Sequence, residues 1–357
     1  MDFGLSHEQT LLADNVSRFL QDRAPLERVR RFAEERRDDD IWQGLTELGI
    51  PGLLVAEEHG GVGLSCLDAA VVAEVLGYHV TPAPFLGTAV AAPIALAAAG
   101  AAQHERLAQI AAGRLRVGLA VGEAIGTRAD AGVTADAGRL SGKALFVTDF
   151  PADCYLVADR HRRLHLVEAN ADGVGTRALT TIDRTRPTGE LVLNGAPAEP
   201  LGDDPALLER VLDVARVMLA ADTLGAAQSM LDKAVAYAKE RRQFNRPIGS
   251  FQAVKHMCAE MAAEIEPCRA MIWYAAHALD HLPDEAHSNA CQTKAHLAEV
   301  GKFVAKTATE VHGGMGFTDL LGLHYWFKRI GYNRQMLGAP ELLRDEAARA
   351  LGLYDTA

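Results

Sequence analysis

The sequence predicts an α+β chain in three parts: helical over 1–113, an antiparallel β-domain over 114–203, and a four-helix bundle over 204–357. Three observations carry this. Apolar residues recur at helical spacing up to about residue 112. After Gly113 the pattern changes to short alternating stretches bounded by Gly, Asp or Pro, the mark of antiparallel strands. From residue 205 long helical repeats joined by short links run on, which is the pattern of an up-down bundle.

Composition sets the class. A chain of 357 residues with 49% hydrophobic and 23% charged residues has ample material for a packed core and is not a disordered sequence. Its net charge of −11 argues against nucleic acid as a partner, so any anionic ligand must meet local arginines. The five cysteines, Cys66, Cys154, Cys258, Cys268 and Cys291, show no C-x-x-C pair and no metal-like spacing, which reads as reduced thiols of a cytoplasmic protein without a metal. No basic segment followed by an apolar core opens the sequence, and no apolar run is long enough to span a membrane; Ala89 to Ala102 is a packed core helix.

In chain order, Leu11, Leu12, Val16, Phe19 and Leu20 share one face of a helix over 5–23 that Ser6 caps. A charge-rich helix over 25–38 presents a solvated face. Trp42 to Leu48 is a further short helix, and the Gly60-Gly61-Val62-Gly63 run is a structural turn. Helices over 67–78 and 85–111 are split by Thr81-Pro82-Ala83-Pro84. Strands are expected at Arg116–Val121, Ala144–Thr148, Cys154–Ala158, Leu164–Glu168 and Glu190–Leu193, and long helices at 205–242, 250–282, 286–312 and 321–353.

The most informative stretch is 239–261, KERRQFNRPIGSFQAVKHMCAEM. A helix ends in charge, turns at Asn245-Arg246-Pro247 and restarts with Ser250 as cap. Arg241, an amide and Phe244 gathered at that elbow suit an anionic pyrophosphate with an apolar edge. His256 reads as a packing histidine on an apolar face.

These residues resemble the flavin-contacting helix-turn-helix of the acyl-CoA dehydrogenases, written E-R-x-Q-F-G-x-P-I, then F-Q, then H-x-x-A-x-M. Glu240, Arg241, Gln243, Phe244, Pro247, Ile248, Phe251, Gln252, His256, Ala259 and Met261 fit, with Asn245 in place of the usual glycine. The order of Asp2-Phe3, the E-E-x-G-G-x-G-like run, E-V-L-G and the Pro-rich turn is similar to the family's N-terminal domain, so the resemblance covers essentially the whole chain. It implies FAD as cofactor, an acyl-CoA thioester as substrate and α,β-dehydrogenation as the reaction. Implied cofactor contacts are Arg241, Gln243, Phe244, Gln252, Phe146, Thr148, Glu310, Gly313 and Gly314; implied substrate contacts are Arg216, Glu123 and Gly338.

The departures matter as much. The reaction needs a carboxylate in a water-excluded pocket to take the α-proton. Leu337 and Ala215 occupy the two positions where the family carries that glutamate, so no catalytic residue is identified. Either another carboxylate reaches the pocket (Glu341, Asp213 or Asp345), or the chain is the glutamate-lacking half of a mixed α2β2 oligomer, as in actinobacterial dehydrogenases of steroid and side-chain breakdown. The second reading is preferred. A self-sufficient homo-oligomer with a relocated base and a flavin-free structural or binding subunit are the rivals. Gly122–Thr127 keeps only Glu123 and Gly126 of a T-E-P-x-x-G-S-D segment, Phe146-Val147-Thr148 stands for tryptophan-isoleucine-threonine, and Glu310 replaces a glutamine.

Overall fold

The computed structural model describes residues 4–125 and 132–353. Its order is helices, a mixed sheet, then helices. Helix α1 (His7–Arg23) opens with a capping box: Ser6 Oγ accepts from the Gln9 amide at 3.1 Å, and the Gln9 side chain accepts from the Ser6 amide at 2.9 Å. Helices α2 (Leu26–Glu35), α3 (Asp39–Glu47) and α4 (Cys66–Tyr78) follow, α4 again starting from a capping box, Ser65 with Asp68. The expected single helix over 85–111 is broken. Phe85–Ala91 winds as a π-helix, passes into α5 (Ala92–Ala98), stops at Gly100 in a left-handed conformation (φ +84°) and resumes as α6 (His104–Ala111).

The eight-stranded sheet consists of β1 (Val117–Ala120), β2 (Val133–Asp136), β3 (Arg139–Thr148), β4 (Cys154–Ala158), β5 (Leu164–Glu168), β6 (Val174–Leu179), β7 (Thr188–Pro197) and β8 (Glu199–Pro200). A single turn of helix, α7 (Gly122–Ile125), follows β1. The sheet is not purely antiparallel as expected, because β1 pairs in parallel with β4. The β2–β3 hairpin lies between them in sequence and supplies the crossover that a parallel pair requires. Strands β2 and β6 were not foreseen. Every residue of β6 is half-buried or exposed, so it lacks the apolar alternation that marks a strand. One irregularity bears on function. The β3–β7 register shifts between Ala144 and Val147, and in that bulge Phe146 takes φ +55° and turns its ring outward.

Helix α8 (Pro205–Glu240) is the axis of the C-terminal part, started by Asp204, whose carboxylate accepts from the Ala206 amide at 2.9 Å. Helices α9 (Gln252–His281) and α10 (Pro283–His312) run back and forth beside it. The expected fourth long helix is two helices, α11 (Leu323–Gln335) and α12 (Pro340–Ala350). They part where Leu337 (φ +55°) and Gly338 (φ +116°) leave helical space. Ser250 does not cap α9: the cap position is Phe251, and the Ser250 hydroxyl donates to the Pro247 carbonyl at 2.7 Å. His256 is exposed rather than packed. The helical parts meet where α4 crosses α8 at glycines. A Cβ on Gly225 would lie 1.8 Å from the Glu74 carbonyl oxygen, and one on Gly77 would lie 2.0 Å from that of Asp222.

Candidate active site and elbow

The residues singled out in the sequence fall into three places. The first is the far end of α8. Arg241, Gln243, Phe244 and Gln252 are all exposed, the Phe244 ring by 86%. Residues 242–243 and 246–247 form a two-residue antiparallel ladder, so the turn between them is tight. Phe244 (φ +50°) and Asn245 (φ +62°) are both left-handed there, and asparagine is the residue after glycine that tolerates this best. Phe251 supports the elbow, its ring 6.0 Å from that of Phe244 and 4.0 Å below the Arg246 guanidinium. The end of α10 arrives at the same place, with Tyr237 and His312 stacked at 4.6 Å. Glu310, Gly313 and Gly314 are exposed beside it, and Glu310 lies 4.0 Å from Lys306.

The second place lies near the start of α8. At ~1.5 Å per residue, the helix carries Arg216 roughly 37 Å from Arg241. Arg216 is fully buried and Ala215 beside it is core. The Arg216 Nε donates to the Leu337 carbonyl at 3.0 Å, its Nη1 reaches Asp213 at 3.3 Å and the Cys291 sulfur at 3.4 Å, and its Nη2 pairs with Glu346 at 2.8 Å. Lys294 joins from α10, donating to the carbonyls of Gly338 (3.3 Å) and Arg334 (3.4 Å). Burial, with Arg216 nearby, lowers the Lys294 pKa to about 7. Arg216 and Lys294 therefore pin the 336–339 loop by its carbonyls, with the Leu337 side chain buried.

Of the candidate bases, Asp213 belongs to this cluster, whereas Glu341 and Asp345 pair with Arg334 and Arg349. Glu341 is exposed and pairs with Arg334 at 3.3 Å; its own helix N-terminus, then Arg334, hold its pKa below the ordinary value. Asp213 is buried, and His287 Nδ1 lies 3.0 Å from both of its oxygens. Hydrogen bonding to Asp213 raises His287 to about 10. Asp345 pairs with Arg349 at 2.7 Å on the α12 surface.

The third place is the sheet. Thr148 is buried, and its hydroxyl has no hydrogen-bond partner among the described residues. Phe146 is half-exposed at its bulge, and Glu123 is half-buried in α7. Gly126 and Thr127 lie outside the described residues, as do Asp2 and Phe3.

Sequence reasoning missed the network between these places. Asp222 on α8 accepts from Arg329 Nη2 (2.6 Å) and Asn333 Nδ2 (2.6 Å) and pairs with Arg186 (2.8 Å). Burial alone would raise its pKa, but the guanidiniums of Arg186 and Arg329 outweigh it and hold Asp222 at about 2. Only about 10 Å³ of cavity remains among Leu76, Phe85, Leu86, Met218, Leu219 and Asp222. That is barely the space of one water. Lys294, His287, Cys291 and Glu346 were also missed; the four-residue spacing of His287 and Cys291 on one helix was the signal on offer.

Residues 6–114 match the model of the acyl-CoA dehydrogenase N-terminal domain, and residues 206–352 that of the C-terminal domain. Acyl-CoA dehydrogenase IpdE2 of Mycolicibacterium smegmatis is 33% identical over 353 residues, covering 96% of this chain and 99% of that protein. Among solved structures, the Tcur3481–Tcur3483 steroid ACAD superposes with a TM-score of 0.89 at 32% identity, covering 97% of this chain and 98% of that one. The ChsE4–ChsE5 complex from Mycobacterium tuberculosis gives 0.91 at 27% identity, covering 100% of both chains. No helix among the described residues is long and apolar enough to cross a membrane.

Proposed function

The chain belongs to the acyl-CoA dehydrogenase family, and from that premise we propose that it is the FAD-associated, base-lacking subunit of a heteromeric acyl-CoA dehydrogenase. A homologous partner supplies the carboxylate that takes the α-proton from a bulky acyl-CoA thioester. The observation that carries this reading is the pinned loop. Arg216 and Lys294 hold the carbonyls around a buried Leu337, so the loop is fixed with an aliphatic side chain at the base position.

None of the three alternative carboxylates suits the role of the glutamate in this reading; Asp345 is paired with Arg349 on α12. Glu341 faces water, where the proton of a thioester is not presented, and both Asp213 oxygens are already engaged by His287.

Family members use FAD, and this chain's residues fit it in two places. At the elbow, Arg241 takes part in no ion pair among the described residues, and the Phe244 ring is bare. At the sheet, a buried Thr148 hydroxyl has no partner among the described residues, and the Phe146 ring is presented by a bulge. When bound, FAD supplies the acceptor for the β-hydride. We take the elbow, roughly 37 Å along α8 from Arg216, to serve a neighbouring subunit's cofactor: Arg241 would pair with the pyrophosphate, Gln243 and Gln252 would hydrogen-bond it, and Phe244 would cover an apolar edge. Gly313 and Gly314 would let the backbone approach there, while the Glu310 carboxylate beside them would repel the same phosphates. Arg216, Glu123 and Gly338 remain this chain's proposed thioester-side residues.

The steroid ACAD and ChsE4–ChsE5 likenesses support a heteromer and a bulky substrate class. The free thiols agree with a cytoplasmic protein. The test is to co-express the chain with a glutamate-bearing homologue, purify through a tag on this chain, count FAD per chain and assay an acyl-CoA panel. A yellow, active complex formed only with the partner is the expected result. Turnover by this chain alone would make it a self-sufficient homo-oligomer, and a colourless complex would make it a structural subunit.

A further inference from the structure

We propose that Asp213, His287 and Cys291, completed by Glu346, form a binding site for a zinc-type divalent cation behind the Leu337 loop. One ligand atom from each of the first three residues lies within 4.8 Å of the others. His287 and Cys291 are a turn apart on α10 and project together, while Asp213 comes from α8 and Glu346 from α12. His287 Nδ1 lies 3.0 Å from both Asp213 oxygens, and the Cys291 sulfur lies 3.6 Å from Glu346 Oε2 and 3.9 Å from His287 Nε2. With metal–ligand bonds of about 2.0–2.3 Å, tetrahedral ligands stand about 3.5 Å apart, so small side-chain adjustments close the set. Thiolate, imidazole and carboxylate together select zinc or cobalt over calcium or magnesium.

Arg216 decides whether such an ion is tolerable. Its guanidinium contacts Asp213 at 3.3 Å, Cys291 at 3.4 Å and Glu346 at 2.8 Å. Bound cation plus guanidinium are balanced by one thiolate and two carboxylates, and the same Arg216 N–H groups become outer donors to the ligating sulfur and oxygens. Lys294 is turned away onto the carbonyls of Gly338 and Arg334. Access is present too: an open cavity of about 540 Å³ is lined by Asp213 and His287, with Asp203, Asp204, Glu209 and Asp280 along its wall. Acidic walls raise the local cation concentration. An ion there would tie α8, α10 and α12 together directly behind the pinned loop. The proposal does not depend on the acyl-CoA reading.

The full chain, stripped with chelator, is titrated with Zn2+ against an indicator dye and with Co2+ by difference absorbance. One equivalent of either ion is expected, with a thiolate-to-cobalt charge-transfer band that zinc abolishes. Cys291→Ser should remove the band, and Cys291→Ser or His287→Gln should each weaken binding by about 100-fold or more. Circular dichroism checks that each variant is folded, and His287→Gln provides the second arm if Cys291→Ser is not. Equal affinity in wild type and a folded variant, or no saturable equivalent in wild type, overturns the site.

Discussion

Replacing Gly225 by alanine sets two opposing effects against each other, and the geometry decides between them. In an ordinary helix the change stabilises by about 0.5–1 kcal/mol, because glycine loses more backbone freedom on folding. At Gly225 the new methyl would lie 1.8 Å from the Glu74 carbonyl oxygen and 2.7 Å from the Tyr78 amide nitrogen. Both are backbone atoms of α4, so no side chain can swing away. Ordinary contact requires α4 to retreat by about 1.5 Å, and overpacking of this kind costs about 1–3 kcal/mol or more. A 1.8 Å approach to fixed backbone puts the cost at the upper end of that range, about 3 kcal/mol, so net destabilisation of roughly 2 kcal/mol or more is expected. Gly331 is the control, since its added Cβ would meet only Ile182 Cδ1 at 3.9 Å. Gly331→Ala should stabilise by about 0.5–1 kcal/mol. Urea unfolding at unchanged slope reads both. The same substitution must give opposite signs at the two sites; a Gly225→Ala protein as stable as Gly331→Ala would refute a rigid α4–α8 seat.

Asp222→Asn leaves Arg329 and Arg186 facing each other without their carboxylate and should destabilise by about 3–5 kcal/mol at neutral pH. Because the folded pKa of Asp222 is depressed to about 2 from an ordinary 3.8, its contribution is present above 3.8 and lost as pH falls through 2, so the gap between wild type and variant should narrow over that window. Arg241→Ala and Phe244→Ala should lower FAD content in the complex with a glutamate-bearing partner while leaving the thermal midpoint of the isolated chain within about 1 °C, since exposed positions contribute little to stability; unchanged FAD would remove the elbow from the cofactor. Glu341→Gln should leave acyl-CoA turnover of that complex unchanged within about twofold, whereas loss of a true base costs about 100-fold or more. Leu337→Glu in the isolated chain should not create activity, because Arg216 and Lys294 hold the loop with that side chain buried; measurable turnover would contradict that.

The parts of the fold that depend on local pattern were legible. Ser6 and the Val16 and Leu20 face announce α1, although Leu11, expected on that face, is exposed, and the short apolar runs 154–158 and 164–168 announce two strands, buried along almost their whole length rather than alternating. What failed depends on partners distant in sequence. The parallel β1–β4 pair follows from where a hairpin crosses, which no local period encodes. The break at 336–339 is written in the carbonyl contacts of Arg216 and Lys294, residues more than 40 positions away. Gly338 alone gave only a hint of it. Of the site, the Asp213–Arg216 pair was visible as a three-residue spacing and is there at 3.3 Å. The Asp222–Arg329–Arg186 network was not, because its members come from α8, α11 and the β6–β7 loop, and charged residues carry no periodic signal of being buried together.

The length of α8 has a genetic meaning. The elbow follows the end of α8 and Arg216, which pins the loop, sits near its start, so a separation of about 37 Å keeps damage at one end away from the other. Two chains disabled at opposite ends are then complementary rather than doubly defective. In an oligomer of the proposed kind that holds two copies of this chain, alleles broken at the elbow and at the loop are expected to rescue each other.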